Sequence, residues 1–247
     1  MKYFALGLLI SLNALNAVAS NEADIRYYTV EKMKVSLVKK DVLGIELRDE
    51  IYRRSLVEVQ QIPGEDGRPS TIDQAGKVIG VARDLVALGE DVYNLVIKGK
   101  PNINTDYAPI SVVPRVNGEP ASILEETENW KMPRSQTYEI AYENAWPFNM
   151  EVVKFRYTVI YSYGGSYNGK GKYLTAVQII PEQVSVLFGY DFRATMKLGG
   201  IVNHGTRENP VAGATLLLEH EVKTFVKANL ETYAFQVVGN GGFKKIR

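Results

Sequence analysis

The sequence predicts an α+β protein: an antiparallel β-sandwich over residues 136–247, preceded by N-terminal strands and one long packed α-helix over residues 72–98. Three observations carry this reading. Apolar residues recur at steps of three and four from Ala75 to Val96, which is the spacing of one helix face. After residue 102 the period drops to two, the spacing of strands whose side chains alternate between faces. Turn-forming residues then break the chain at short, regular intervals, as in sandwiches and barrels.

The N-terminus comes first. Lys2 is followed by the apolar run Tyr3–Leu12 and a small-residue site at Ala17-Val18-Ala19, the pattern of a secretory signal peptide. Residues 1–19 are therefore set aside as an export signal, and the expected location is periplasmic or secreted, in a bacterial cell envelope or outside it. The whole chain has 29 Lys+Arg against 28 Asp+Glu and no Cys. Loss of Lys2 with the signal leaves basic and acidic residues equal in number. That balance gives no footprint for nucleic acid. The missing cysteines exclude a disulfide scaffold, a thiolate metal site and a cysteine nucleophile, so the core must hold the fold without staples.

Residues 20–135 read as N-terminal strands, the long helix and a Pro-containing crossover, forming one continuous unit with the sandwich. Ile25, Tyr27 and Thr29, then Val35 and Leu37, alternate like a strand or hairpin, and Val42–Val59 reads as further strands. Pro63–Pro69 is a turn-rich break. Ser70 or Thr71 then offers a helix cap, with Asp73 or Gln74 three residues on, and Gly99-Lys100-Pro101 gives a stop. A second apolar stripe, Val81, Leu88 and Leu95, lies opposite the first. A helix with two apolar sides is covered twice or faces a partner or a membrane. In the sandwich, Val152–Tyr163 is a strand, Gly164–Gly171 turns the chain and Tyr173–Ile180 returns. Pro181-Glu182-Gln183 turns again before Val184–Phe192, Thr195–Asn203 follows, and Ala214–Val226 pairs with Thr232–Val238 across Ala228-Asn229.

Chemical motifs are sparse. Gly164-x-x-x-x-Gly169-Lys170 resembles a phosphate-binding loop, but Gly171 stands where Ser or Thr should bind magnesium, and a strand follows where a helix is needed. The same loop offers a mobile set, Tyr163, Tyr167, Lys170 and Lys172, suited to a glycan or an anionic surface. His204, in a loop with Arg207, is the leading polar candidate, since loops carry function more often than strands do. His220 stands between Glu219 and Glu221, but strand alternation points those glutamates away from it. It reads as a half-buried strand histidine. Asn102-x-Asn104-x-Asp106 lacks the glycine and distal glutamate of a calcium loop. No Gly-x-Ser-x-Gly elbow occurs. No catalytic residue, metal site or cofactor is assigned.

These readings converge on an exported, non-catalytic binding or assembly protein with a protein or glycan partner. Two alternatives stay open. One is a membrane-binding or pore-forming protein using helix 72–98, which charge neutrality disfavours. The other is a hydrolase of envelope polymers. Homo-oligomer formation is also left open.

Overall fold

The computed structural model describes residues 25–40, 78–82, 84–89, 92–98, 100–102, 109–145 and 149–247. The expected export signal at 1–19, the strands expected within 42–59 and the helix cap expected at Ser70 or Thr71 lie outside those residues. A single helical turn spans 25–27, and everything else that is regular is strand.

The strands form two antiparallel sheets. The first contains β1 (Val30–Lys40), β2 (Val78–Ala82), β3 (Leu85–Leu88), β6 (Ile110–Val116), β8 (Lys131–Asn144), β9 (Glu151–Tyr167) and β10 (Lys170–Val186), with the short β7 (Glu119–Pro120) paired to β6. Its order is β1-β8-β9-β10-β6-β3-β2. The second contains β4 (Val92–Lys98), β5 (Lys100–Asn102), β11 (Asp191–Asn203), β12 (Ala212–Lys223), β13 (Ala228–Val238) and β14 (Phe243–Lys245), in the order β14-β13-β12-β11-β4-β5.

The α+β assignment is therefore corrected to an all-β one: among the described residues no helix reaches seven residues. Where helix 72–98 was expected, the described chain is β2, a turn at Asp84, β3 and β4. The physical reason lies in β3. Leu85, Val86, Ala87 and Leu88 are all buried, and they divide between two clusters. Leu85 and Ala87 join the main core, while Val86 and Leu88 pack with Val113 on the other face. Two apolar sides were thus the two faces of a strand buried on both, which periodicity alone does not separate from a buried helix. Gly89, at φ 127°, has a backbone conformation that no helix interior accepts. Several Val and Ile residues in 78–97 also favour the pleated surface over a helix.

The inward faces of the two sheets meet in an aromatic core. Phe155 of β9 packs on Phe192 of β11, with ring centroids 5.0 Å apart, and Tyr138 of β8 packs on Phe235 of β13 at 5.4 Å. Residues 153, 155, 157, 159 and 161 of β9 point inward and are buried. Such rings each bury a large apolar area, and tilted or edge contacts suit their quadrupoles. The opposite face of the first sheet is also covered at its centre, where Ile160 and Ile180 are buried.

Strand limits differ from those expected at two places. Pro181 does not turn the chain. It sits inside β10 at a register irregularity between Pro181 and Gln183, where a strand tolerates proline. The turn comes later, at Leu187–Tyr190, closed by the Tyr190 amide on the Leu187 carbonyl at 3.2 Å. Likewise the turn before β13 is Thr224–Lys227 rather than Ala228-Asn229. The N-terminal strands are interleaved with the rest: β1 pairs with β8, β6 with β10 and β4 with β11.

Candidate functional site

Because the strands are antiparallel, their turns collect at two ends. One end is formed by the β9–β10 hairpin tip, the β11–β12 loop and the turn after β13. The tip is built on Asn168 and Gly169, at φ 49° and 69°. Two consecutive positive φ values match the right-handed twist of the flanking strands, and Asn-Gly is the pair that adopts them most easily. Tyr167 and Lys170 are opposite each other at its base.

The β11–β12 loop, residues 203–211, is held by its own polar side chains. Asn203 Oδ1 accepts from the Gly205 and Val211 amides at 2.8 and 2.9 Å. Thr206 Oγ1 accepts from the Asn209 amide at 3.0 Å. These local bonds satisfy backbone donors that no ladder reaches.

Hairpin and loop are joined. The Gly171 amide donates to Asn209 Oδ1 at 2.8 Å, and the Lys172 amide donates to the Pro210 carbonyl at 2.9 Å. The turn after β13 seals the junction: the Gly164 amide donates to the Gly239 carbonyl at 2.9 Å, and the Gly239 amide to that of Ala212 at 2.7 Å. A Cβ on Gly239 would meet the Lys172 carbonyl oxygen at 2.0 Å, so only glycine lets these backbones approach. Arg134 donates to the Gly241 carbonyl at 2.6 Å and lies 5.0 Å above the Tyr163 ring.

The structure thus brings Tyr163, Tyr167, Lys170, Lys172, His204 and Arg207 to one end of the sandwich. Lys170, Lys172, His204 and Arg207 are exposed, and the two tyrosines are half-buried. None of the ion pairs among the described residues involves Lys170, Lys172 or Arg207. His204 is anchored through Nε2, 3.1 Å from Gln236 Nε2. The residues that tie the end together, Asn209, Gln236, Gly239 and Arg134, were missed by sequence reasoning. The run Gly239-Asn240-Gly241-Gly242 was the available signal, because it marks a tight turn.

Val81, Leu88 and Leu95 do not form a helical stripe. Val81 is 56% exposed on β2, Leu88 is 6% exposed on β3, and Leu95 belongs to β4 in the other sheet, paired with Ala194. Among the described residues no helix is long and apolar enough to cross a membrane.

His220 is more buried than expected, at 1% exposure in the space between the sheets. Its Nδ1 hydrogen-bonds the Tyr142 hydroxyl at 2.7 Å, its ring stacks on Tyr233 at 5.3 Å, and Nε2 has no hydrogen-bond partner among the described residues. Burial, and then the Lys245 ammonium, hold its pKa down at about 4. Lys245 itself lies 4.2 Å over the Tyr233 ring. This is a neutral histidine closing an aromatic stack, enclosed on both sides by rings. Among the described residues no group of three His, Asp or Glu side chains is placed to hold a metal. No family model, no curated protein and no solved structure matches this chain.

Proposed function

We propose that this is an exported binding protein whose ligand surface is the end carrying Lys170, Lys172, His204 and Arg207, and whose ligand is an anionic glycan. The supporting observation is the junction of the hairpin tip with the β11–β12 loop, through Gly171 on Asn209 and Lys172 on Pro210. It presents three exposed cations from two separate segments together with the tyrosines of β9. Cations match carboxylate or sulfate groups, and tyrosine rings offer apolar faces to sugar rings. Backbone preorganisation lowers the ordering cost of such contacts. The export assignment rests on residues 1–19 of the sequence.

The test is titration of dextran sulfate, with neutral dextran as the control. The K170A/K172A/R207A variant is expected to lose about tenfold or more in affinity, since each exposed charge contact contributes up to about 1 kcal/mol. Wild-type binding should weaken with salt. Equal affinity of a folded triple variant, or equal binding of both polymers, would sink the reading.

A further inference from the structure

The sequence holds three Asn-Gly pairs, at Asn117-Gly118, Asn168-Gly169 and Asn240-Gly241. Such a pair is chemically labile. The glycine amide nitrogen attacks the asparagine Cγ, the Cγ–Nδ2 bond breaks, and ammonia leaves with the amide proton, giving a cyclic succinimide. Water then opens that ring at either carbonyl and leaves aspartate or isoaspartate. Glycine is the neighbour that permits the attack, because it has no Cβ to crowd its nitrogen and its backbone turns freely. In a folded chain the rate depends on whether the asparagine side chain and the glycine nitrogen are free to meet.

The structure separates the three pairs. At Asn240 both reacting groups are engaged. Asn240 Oδ1 accepts from the Gly242 amide at 2.9 Å, and the Gly241 amide donates to the Val238 carbonyl at 2.8 Å. The Gly241 carbonyl is held too, by the Tyr161 hydroxyl at 3.0 Å and Arg134 at 2.6 Å, and Gly241 is buried. Ring closure there would break several bonds at once. Asn168 is the opposite case. It is exposed at the tip of the β9–β10 hairpin, and among the described residues neither its side chain nor the Gly169 amide has a hydrogen-bond partner. Its backbone must leave φ 49° for the Gly169 nitrogen to reach Cγ, and loop tips make such excursions far faster than an amide bond breaks. Asn117, in the β6–β7 turn, is exposed and unbonded in the same way.

We propose that Asn168 is a site of spontaneous deamidation in the folded protein, and that the carboxylate it creates weakens the hold of the Lys170 end on anionic ligands as the protein ages. The effect on binding rests on the ligand reading given above; the modification does not. The new charge would stand two positions from Lys170, which takes part in none of the ion pairs among the described residues. A carboxylate there attracts the Lys170 ammonium and repels a sulfate or carboxylate ligand. Isoaspartate also inserts an extra backbone atom into a turn whose two positive φ values match the strand twist, so it misaligns the tip.

The experiment ages the folded protein in mildly alkaline buffer, with a urea-unfolded sample beside it, and follows both by tryptic peptide mapping. Unfolded, the three pairs should react at similar rates. Folded, the peptide carrying Asn168 should gain the mass of an amide-to-acid exchange and accept isoaspartyl methylation, while the Asn240 peptide lags by about tenfold or more. Asn168→Asp makes the same charge at this position alone, and Asp-Gly suits the same turn, so its thermal midpoint should match wild type. It should bind dextran sulfate about threefold more weakly. An Asn168 peptide that stays intact in the folded sample while the unfolded one reacts would overturn the site, and so would Asn240 reacting as fast as Asn168. Equal dextran sulfate binding by wild type and Asn168→Asp would overturn the effect on the ligand surface. Failure of wild type to bind dextran sulfate would instead sink the ligand reading, with the peptide map still deciding the site.

Discussion

Lowering the pH is expected to destabilise this protein through His220 alone by a calculable amount. In the folded chain the ring is 1% exposed and its pKa is held down at about 4, first by burial and then by Lys245. The groups around it are Tyr142 on β8, Phe192 on β11, Tyr233 and Glu231 on β13, and Lys245 on β14. Unfolded, the same ring titrates near 6.5. Above that value both states are neutral and His220 contributes nothing to pH dependence. As pH falls from about 6.5 to about 4, the unfolded state takes up the proton first, so the folded state loses stability. Below about 4 both states are protonated and the loss is complete. Between pH 7.5 and 4.5 the loss is about 2.5 kcal/mol, or about 5–10 °C in thermal midpoint for a chain of this size. The control is His220→Phe, which keeps a ring in the stack but leaves the Tyr142 hydroxyl unpaired at a pH-independent cost of about 1–3 kcal/mol. Surface carboxylates titrate alike in both proteins, so the difference between them isolates His220. Urea unfolding of both at pH 7.5 and 4.5 should show wild type ahead at the higher pH and its lead shrinking by about 2.5 kcal/mol at the lower. Parallel pH profiles would refute the reasoning.

Two further outcomes follow from packing. Gly165→Ala would place a Cβ 2.5 Å from the Trp130 indole, and Trp130 is tied by its Nε1 to Thr127 at 3.2 Å. The ring must shift, at a cost of about 1–3 kcal/mol, readable as a lower urea midpoint with a change in Trp fluorescence. Tyr157→Phe removes a hydroxyl that is buried without a partner among the described residues. It should leave stability unchanged or raise it by about 1 kcal/mol; a clear loss in calorimetry would mean that the hydroxyl is bonded.

How much of this was legible in the sequence depended on whether a strand has one wet face. β9 and β12 each show period-two alternation over most of their length, with 153, 155, 157, 159 and 161 inward on β9 and 214, 216, 218, 220 and 222 inward on β12. Those elements were readable because burial on one side writes itself into the sequence. Residues 85–88 are buried on both sides, so alternation vanishes and steps of three and four arise by coincidence. Pro181 misled for a related reason: proline usually marks a turn, yet here an irregular register admits it within β10. The candidate site was visible only as residue types. That Lys172 is bonded to Pro210, and Gly171 to Asn209, is a contact across 38 positions of chain, and no local pattern encodes it. The exposure of Phe188 and Phe225 was missed because each looks like an ordinary core residue until the turn beneath it is known.

The Lys170 end and the Phe188 end are separated by the length of the strands that connect them. β9 and β10 each run for 17 residues, which at about 3.3 Å per residue amounts to roughly 50 Å. That is several times the screening length of about 8 Å at physiological salt. Charges at the Lys170 end therefore have no electrostatic hold on the Phe188 end. Any coupling between the ends must run through the packed strands. The inward face along that path is packed ring on ring, and a close-packed interior repacks discretely and not by degrees. A ligand held at the Lys170 end therefore acts on the Phe188 end only through the packing of β9 and β10.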